Sequence, residues 1–139
     1  MRFTTLLFDV DDTLYPSSNG LWKEIRRRMN SYLIERVGFS PHEVEQLRNK
    51  YFVTYGTTLK GLMINQPGRV NVDDYLAYVH DLPLNEYIRP HRELRSLLLS
   101  LPQHRWLFTN ADDAHARRVT KILGVTDCFE GIVDIRALR

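Results

Sequence analysis

Thr5-Leu6-Leu7-Phe8-Asp9-Val10-Asp11-Asp12-Thr13-Leu14-Tyr15 decides how this chain is read. The apolar run is too short for a helix and reads as a buried strand. It ends on two aspartates one residue apart, Asp9 and Asp11, with Asp12 directly after. Open α/β sheets bind ligands at the C-terminal ends of their strands. Carboxylates this close repel one another, so the cluster implies a bound cation or proton chemistry. A solvated acidic turn is the alternative, and the return to apolar character at Leu14 argues against it.

Outward from that strand the pattern becomes helical. Tyr15-Pro16-Ser17-Ser18-Asn19-Gly20 breaks the chain. Leu21, Trp22, Ile25, Met29, Tyr32, Leu33 and Val37 then recur at helical spacing, and Gly38 ends the run. Ser40-Pro41-His42-Glu43 predicts a second helix opened by a Ser cap, a proline at the first position and a capping box. A short helix is expected over 57–64, and Asn71 with Asp74 opens another that fades before Pro83. Residues 16–88 contain no convincing strand.

After Pro90 the α/β pattern returns. Leu94, Leu97, Leu98 and Leu101 mark a helix, and Trp106-Leu107-Phe108-Thr109 reads as a second buried strand. Asn110-Ala111-Asp112-Asp113 can cap a helix closed by Gly124, and Gly131-Ile132-Val133-Asp134-Ile135 reads as a third strand. Strand–helix–strand at this spacing predicts a parallel βαβ unit. The expected organisation is a split α/β core, 1–15 and 89–139, with a helical insertion, 16–88. An insertion after the first strand is expected over that strand's C-terminal end, as a lid that excludes water.

At 139 residues, with 43% hydrophobic and 26% charged side chains, the composition is that of an ordinary globular chain. Nineteen Lys and Arg against seventeen Asp and Glu leave a net charge of +2, too little to suggest a nucleic-acid partner. The single cysteine, Cys128, has no intrachain disulfide partner. Asp9 cuts the N-terminal apolar run short, and no stretch is long enough to span a bilayer, so no membrane partner is expected. The expectation is a soluble, cytoplasmic protein.

Asp9-Val10-Asp11-Asp12-Thr13-Leu14 resembles the first motif of the haloacid dehalogenase-like (HAD) hydrolase superfamily, and Trp106-Leu107-Phe108-Thr109-Asn110 resembles the second. The helical insertion matches that superfamily's type 1 cap. Phe8-Asp9 through Tyr15-Pro16, Tyr55-Gly56, Gly61-Leu62 and Leu107-Phe108-Thr109-Asn110-Ala111 are similar to its pyrimidine 5′-nucleotidase branch. The implied fold is a Rossmannoid parallel sheet with an all-helical cap. The implied function is Mg²⁺-dependent hydrolysis of phosphomonoesters through an aspartyl-phosphate, on a small phosphorylated metabolite of the nucleoside monophosphate class.

On this resemblance Asp9 is the nucleophile and Asp11 the acid and base. Mg²⁺ is held by the Asp9 carboxylate and the Asp11 main-chain carbonyl. Thr109 donates its hydroxyl to the phosphoryl group, and the Asn110 N–H, at a helix start, receives the anion. Tyr55, Gly56, Lys60 and Gly61 suggest a substrate loop in the cap. An acid at position 11 favours phosphoryl transfer over halide displacement. A receiver domain is excluded because the middle of the chain is helical, where its phosphoacceptor strand would fall.

The resemblance also implies a lysine after the third strand and an acidic pair after a fourth, and residues 1–139 hold neither. Lys121 precedes the third strand and does not replace the lysine. The expectation is a chain missing its C-terminal strands, its Asp9 strand an exposed edge open to self-association. An inactive remnant that binds phosphate, metal or a partner chain is the alternative function. Arg26-Arg27-Arg28 reads as a solvated helix face, His42 and His91 as helix-start residues, and Trp22 and Trp106 as core.

Overall fold

The computed structural model describes residues 3–137, and the chain is mixed α/β. Three strands, β1 (Thr5–Phe8), β2 (His104–Phe108) and β3 (Gly131–Val133), form one parallel sheet in the order β1-β2-β3. Among the described residues six α-helices accompany them: α1 (Leu21–Tyr32), α2 (Val44–Tyr55), α3 (Thr58–Asn65), α4 (Val72–His80), α5 (Arg92–Ser100) and α6 (Asp113–Leu123). The chain divides into two compact units, one formed by the residues up to Trp22 with those from Pro83 onward, the other by Lys23–Leu82. No helix among the described residues is long and apolar enough to cross a membrane.

In the sheet unit, Phe8 pairs with Leu107 and Leu107 with Ile132, so β2 lies between its neighbours and Leu107 is 1% exposed. The helix α6 buries Ala116, Val119, Thr120 and Leu123, and Gly124 closes it in the left-handed conformation (φ 77°). The helix α5 departs from its expected apolar face. Of its leucines only Leu98 is buried, while Leu97 is 60% exposed. Among the described residues β1 pairs on one side only; Leu7 within it and Phe3 just before it are exposed. Gly131 lies under the Trp106 ring, where a Cβ would meet the indole at 2.2 Å. Trp106 itself is only half-buried, as is Trp22.

The helical unit follows the expected breakpoints with two differences. The Asn19 side chain accepts the Leu21 N–H (2.9 Å) as α1 begins. That helix widens into a π-helical segment, Leu33–Val37, before Gly38. The Gly38 and Phe39 N–H groups both reach the Leu33 carbonyl, which satisfies a helix end that would otherwise be bare. At α2 the capping box is absent. The Ser40 Oγ accepts from His42 (3.3 Å), and the Ser40 carbonyl takes the N–H groups of Glu43 and Val44. Thr57 and Asn71 cap α3 and α4 through their side chains.

Tyr55, Gly56, Lys60 and Gly61 do not share a loop. Tyr55 ends α2, Gly56 is its left-handed cap (φ 83°), and Lys60 and Gly61 lie inside α3. A Cβ on Gly61 would stand 2.5 Å from the Tyr51 Cβ, so glycine here lets α2 and α3 approach. Helix propensity alone favours Gly61→Ala by about 1 kcal/mol. The clash is with a Cβ held by helix backbone and cannot be relieved by a rotamer change. We expect Gly61→Ala to cost about 1–3 kcal/mol net, read as a lower thermal midpoint. An unchanged or raised midpoint would mean that the two helices part at no cost.

The arginine run is engaged within this unit. Arg27 pairs with Glu24 (2.5 Å), while Arg28 lies over the Tyr78 ring (4.5 Å) and donates to the Tyr78 carbonyl (2.6 Å). Tyr78 in turn meets Tyr32 edge-on, with ring centres 5.4 Å apart.

Candidate active site

The strand β1 stops at Phe8, and the chain turns immediately. Val10 is fully buried, and its carbonyl accepts the N–H groups of Thr13 (3.3 Å) and Leu14 (3.0 Å). Asp12 takes a left-handed conformation (φ 58°), the only described residue other than glycine to do so. Aspartate tolerates this region better than most residues, and such strain concentrates at functional sites. The tight turn separates the carboxylates. Asp9 is exposed, and among the described residues its one hydrogen bond comes from the Thr13 hydroxyl (3.2 Å).

Asp11 has different surroundings. Its side chain is 12% exposed, and its Oδ1 lies 2.5 Å from the Tyr15 hydroxyl and 2.8 Å from His115 Nε2. Tyr15 is 4% exposed. Burial, with the Asp11 charge adding to it, pushes the Tyr15 phenol well above its ordinary value, so it remains a donor. His115 is buried in the first turn of α6, where its own N–H is held by the capping carboxylate of Asp112 (3.2 Å).

Sequence reading missed His115. The legible trace is a histidine four residues before Val119, on a helical stripe that is otherwise small or apolar.

The second strand delivers Thr109 beside this turn. Because Phe8 pairs with Leu107, Asp9 and Thr109 both leave the sheet at its C-terminal end. Thr109 is 2% exposed; its N–H bonds to the Val133 carbonyl (3.0 Å), and its Oγ accepts from Ala111 N–H (3.0 Å). Accepting there leaves the hydroxyl proton to point elsewhere, and among the described residues it meets no acceptor.

Asn110 is not at the helix start. The helix α6 begins at Asp113 behind its cap Asp112, so Asn110 stands two residues before the cap. Two of the helix's first N–H groups are taken by the protein's own carboxylates. Asp112 holds His115 N–H, and Asp134 accepts from Asp113 N–H (3.0 Å). An anion here would therefore lean on the loop amide of Asn110 more than on the helix N-terminus. Asp134 also accepts from the N–H groups of Arg136 (3.0 Å) and Ala137 (3.3 Å), which ties the segment after β3 to α6.

Among the described residues, no three His, Cys, Asp or Glu side chains gather as a complete metal cage would require. Mg²⁺ asks for less: one or two carboxylates, with water and substrate oxygens for the rest. An exposed Asp9 carboxylate at a strand end meets that demand with hard oxygen chemistry. Asp11 Oδ1 is already bonded to Tyr15 and His115, and the main-chain carbonyl of Asp11, two residues from Asp9, offers a second hard oxygen.

A model of the haloacid dehalogenase-like hydrolase family matches residues 3–138. The chain belongs to the haloacid dehalogenase-like hydrolases. Phosphate metabolism protein 8 of Saccharomyces cerevisiae (strain ATCC 204508 / S288c) is 37% identical over 136 residues, which takes in 90% of this chain and 41% of that relative. The chain thus spans about two-fifths of the length of the curated relative it matches. In this haloacid dehalogenase-like hydrolase the acidic stretch follows β1, Thr109 follows β2, and Asp134 follows β3.

Proposed function

We propose that this chain serves Mg²⁺-dependent hydrolysis of phosphomonoesters through an aspartyl-phosphate, with nucleoside monophosphates as substrates. The observation that carries the reading is the unlike surroundings of two neighbouring carboxylates. Asp9 is exposed and lightly bonded, as a nucleophile needs, while Asp11 is half-buried against the Tyr15 hydroxyl and the His115 ring, as an acid and base needs. Family membership and the likeness to a phosphate metabolism protein support the same chemistry.

In the first half, an Asp9 oxygen bonds to phosphorus as the ester P–O bond breaks, and Asp11 gives its proton to the departing oxygen. In the second, Asp11 takes a proton from water, the water oxygen bonds to phosphorus, and the Asp9–phosphate bond breaks. The Thr109 hydroxyl and the Asn110 N–H orient the phosphoryl oxygens. Bound through the Asp9 carboxylate and the Asp11 carbonyl, Mg²⁺ supplies charge neutralisation at those oxygens. In the helical unit, Tyr55 and Lys60 have side chains able to read a nucleoside, whereas Gly61 is needed for packing. Among the described residues β1 has one unpaired edge, which suits pairing with a further strand, including that of a second copy.

Phosphate release from a panel of nucleoside monophosphates, with Mg²⁺ and with excess chelator, tests this reading. We expect release that depends on Mg²⁺ and differs among the bases. A folded chain that releases no phosphate from any monoester in Mg²⁺ would sink the proposal.

A further inference from the structure

The Tyr15 hydroxyl and the His115 ring converge on one atom of Asp11. The Tyr15 hydroxyl comes from the same turn, four residues on, and His115 Nε2 from α6, 104 positions away, and both meet Oδ1. A carboxyl oxygen has two lone pairs, so two donors fill it. Both donors are buried and therefore ordered: Tyr15 is 4% and His115 1% exposed. Oδ1 is thus unavailable to give a proton to a substrate or to take one from water.

We propose that His115 and Tyr15 are positioning residues that keep Oδ1 as the permanent acceptor oxygen of Asp11, so that proton exchange falls to Oδ2. This rests on the reading of Asp11 as acid and base. When Oδ2 carries the proton, Oδ1 is a carbonyl oxygen and accepts; when Asp11 is ionised, Oδ1 still accepts. Both bonds therefore survive each half of the reaction. The Oδ2 proton passes to the ester oxygen as its bond to phosphorus breaks, and a water proton returns to Oδ2 as water attacks the aspartyl-phosphate. The carboxyl plane need not turn between the two. The arrangement requires His115 in its Nε2–H tautomer.

Leaving-group dependence separates this role from mere packing. A nucleoside monophosphate needs a proton on its departing oxygen, whereas p-nitrophenyl phosphate does not. We expect His115→Ala and Tyr15→Phe to lower kcat for the nucleotide about 10- to 100-fold with little change in KM. The loss in the p-nitrophenolate burst should be about tenfold smaller. His115→Gln, whose amide N–H can replace Nε2–H, should recover part of the nucleotide rate. Equal losses on both esters in folded variants, with no recovery by Gln, overturn the proposal.

Nitrogen-15 NMR of the His115 ring needs no turnover. An Nε2–H tautomer whose proton signal moves in Asp11→Asn supports the proposal, and an Nδ1–H tautomer overturns it even in a chain that releases no phosphate. Failure of the phosphatase reading is thereby distinguished from failure of this one.

Discussion

Asp9→Asn removes phosphate release by at least about 10³-fold while leaving the fold intact, because losing a covalent nucleophile removes the whole two-step route. The substitution exchanges one carboxylate oxygen for an amide nitrogen with no useful lone pair, and it withdraws the charge that would hold Mg²⁺. Stability should change little. Asp9 is exposed, and among the described residues its side chain takes one hydrogen bond, from Thr13, which an amide oxygen can still accept. A shift within about 0.5 kcal/mol is ordinary for such a surface position. Phosphate release and an acid-quench assay for the aspartyl-phosphate, run beside a thermal melt, read both effects. Turnover that persists in the variant would assign the activity to another nucleophile or to a contaminant.

The largest loss of stability is expected at Leu107→Ala, about 2–5 kcal/mol for removing a fully buried leucine side chain. Leu107 is 1% exposed and sits in the strand between β1 and β3, paired with Phe8 on one side and Ile132 on the other. Truncation leaves a cavity between elements that cannot all collapse into it. Such a cost is a large part of the total stability of a domain, typically about 5–15 kcal/mol. It also loosens Thr109, two residues further along the same chain. Urea titration measures it, with Leu97→Ala as the comparison. Leu97 is 60% exposed, so its truncation should cost no more than about 0.5 kcal/mol. A Leu107→Ala loss below that of Leu97→Ala would show that the sheet is not where this unit keeps its stability.

The elements legible in the sequence are those set by short windows. The three strands were visible as apolar runs, and the long helical stretch as recurring apolar positions between breakers. Gly38 and Gly124 were legible as helix ends because only glycine enters the left-handed region without strain. The helix starts were harder. Ser40 and Asn110 both have cap chemistry, yet the regular helices begin at Val44 and Asp113. Ser, Asn and Asp compete for the same few N–H groups, and packing decides which of them wins. Leu97 fits an apolar stripe in the sequence with Leu94, Leu98 and Leu101, but the fold leaves it exposed.

By itself, the sequence determined that an acidic turn follows a short apolar strand, that a Thr-bearing strand lies far downstream, and that helices fill the space between; that β1 is half exposed and not buried was decided by the sheet. Periodicity, capping and turn chemistry act over a few residues, and a one-dimensional pattern records them. Only the tertiary structure decided that Asp11 meets His115, that Asp134 reaches the first turn of α6, and that Gly61 must be bare so that two helices can touch. The histidine and its carboxylate are 104 positions apart. Their meeting depends on the parallel register of β1 against β2 and on the depth at which α6 packs. Both are settled by burial of the whole core, so no local stretch of sequence encodes them.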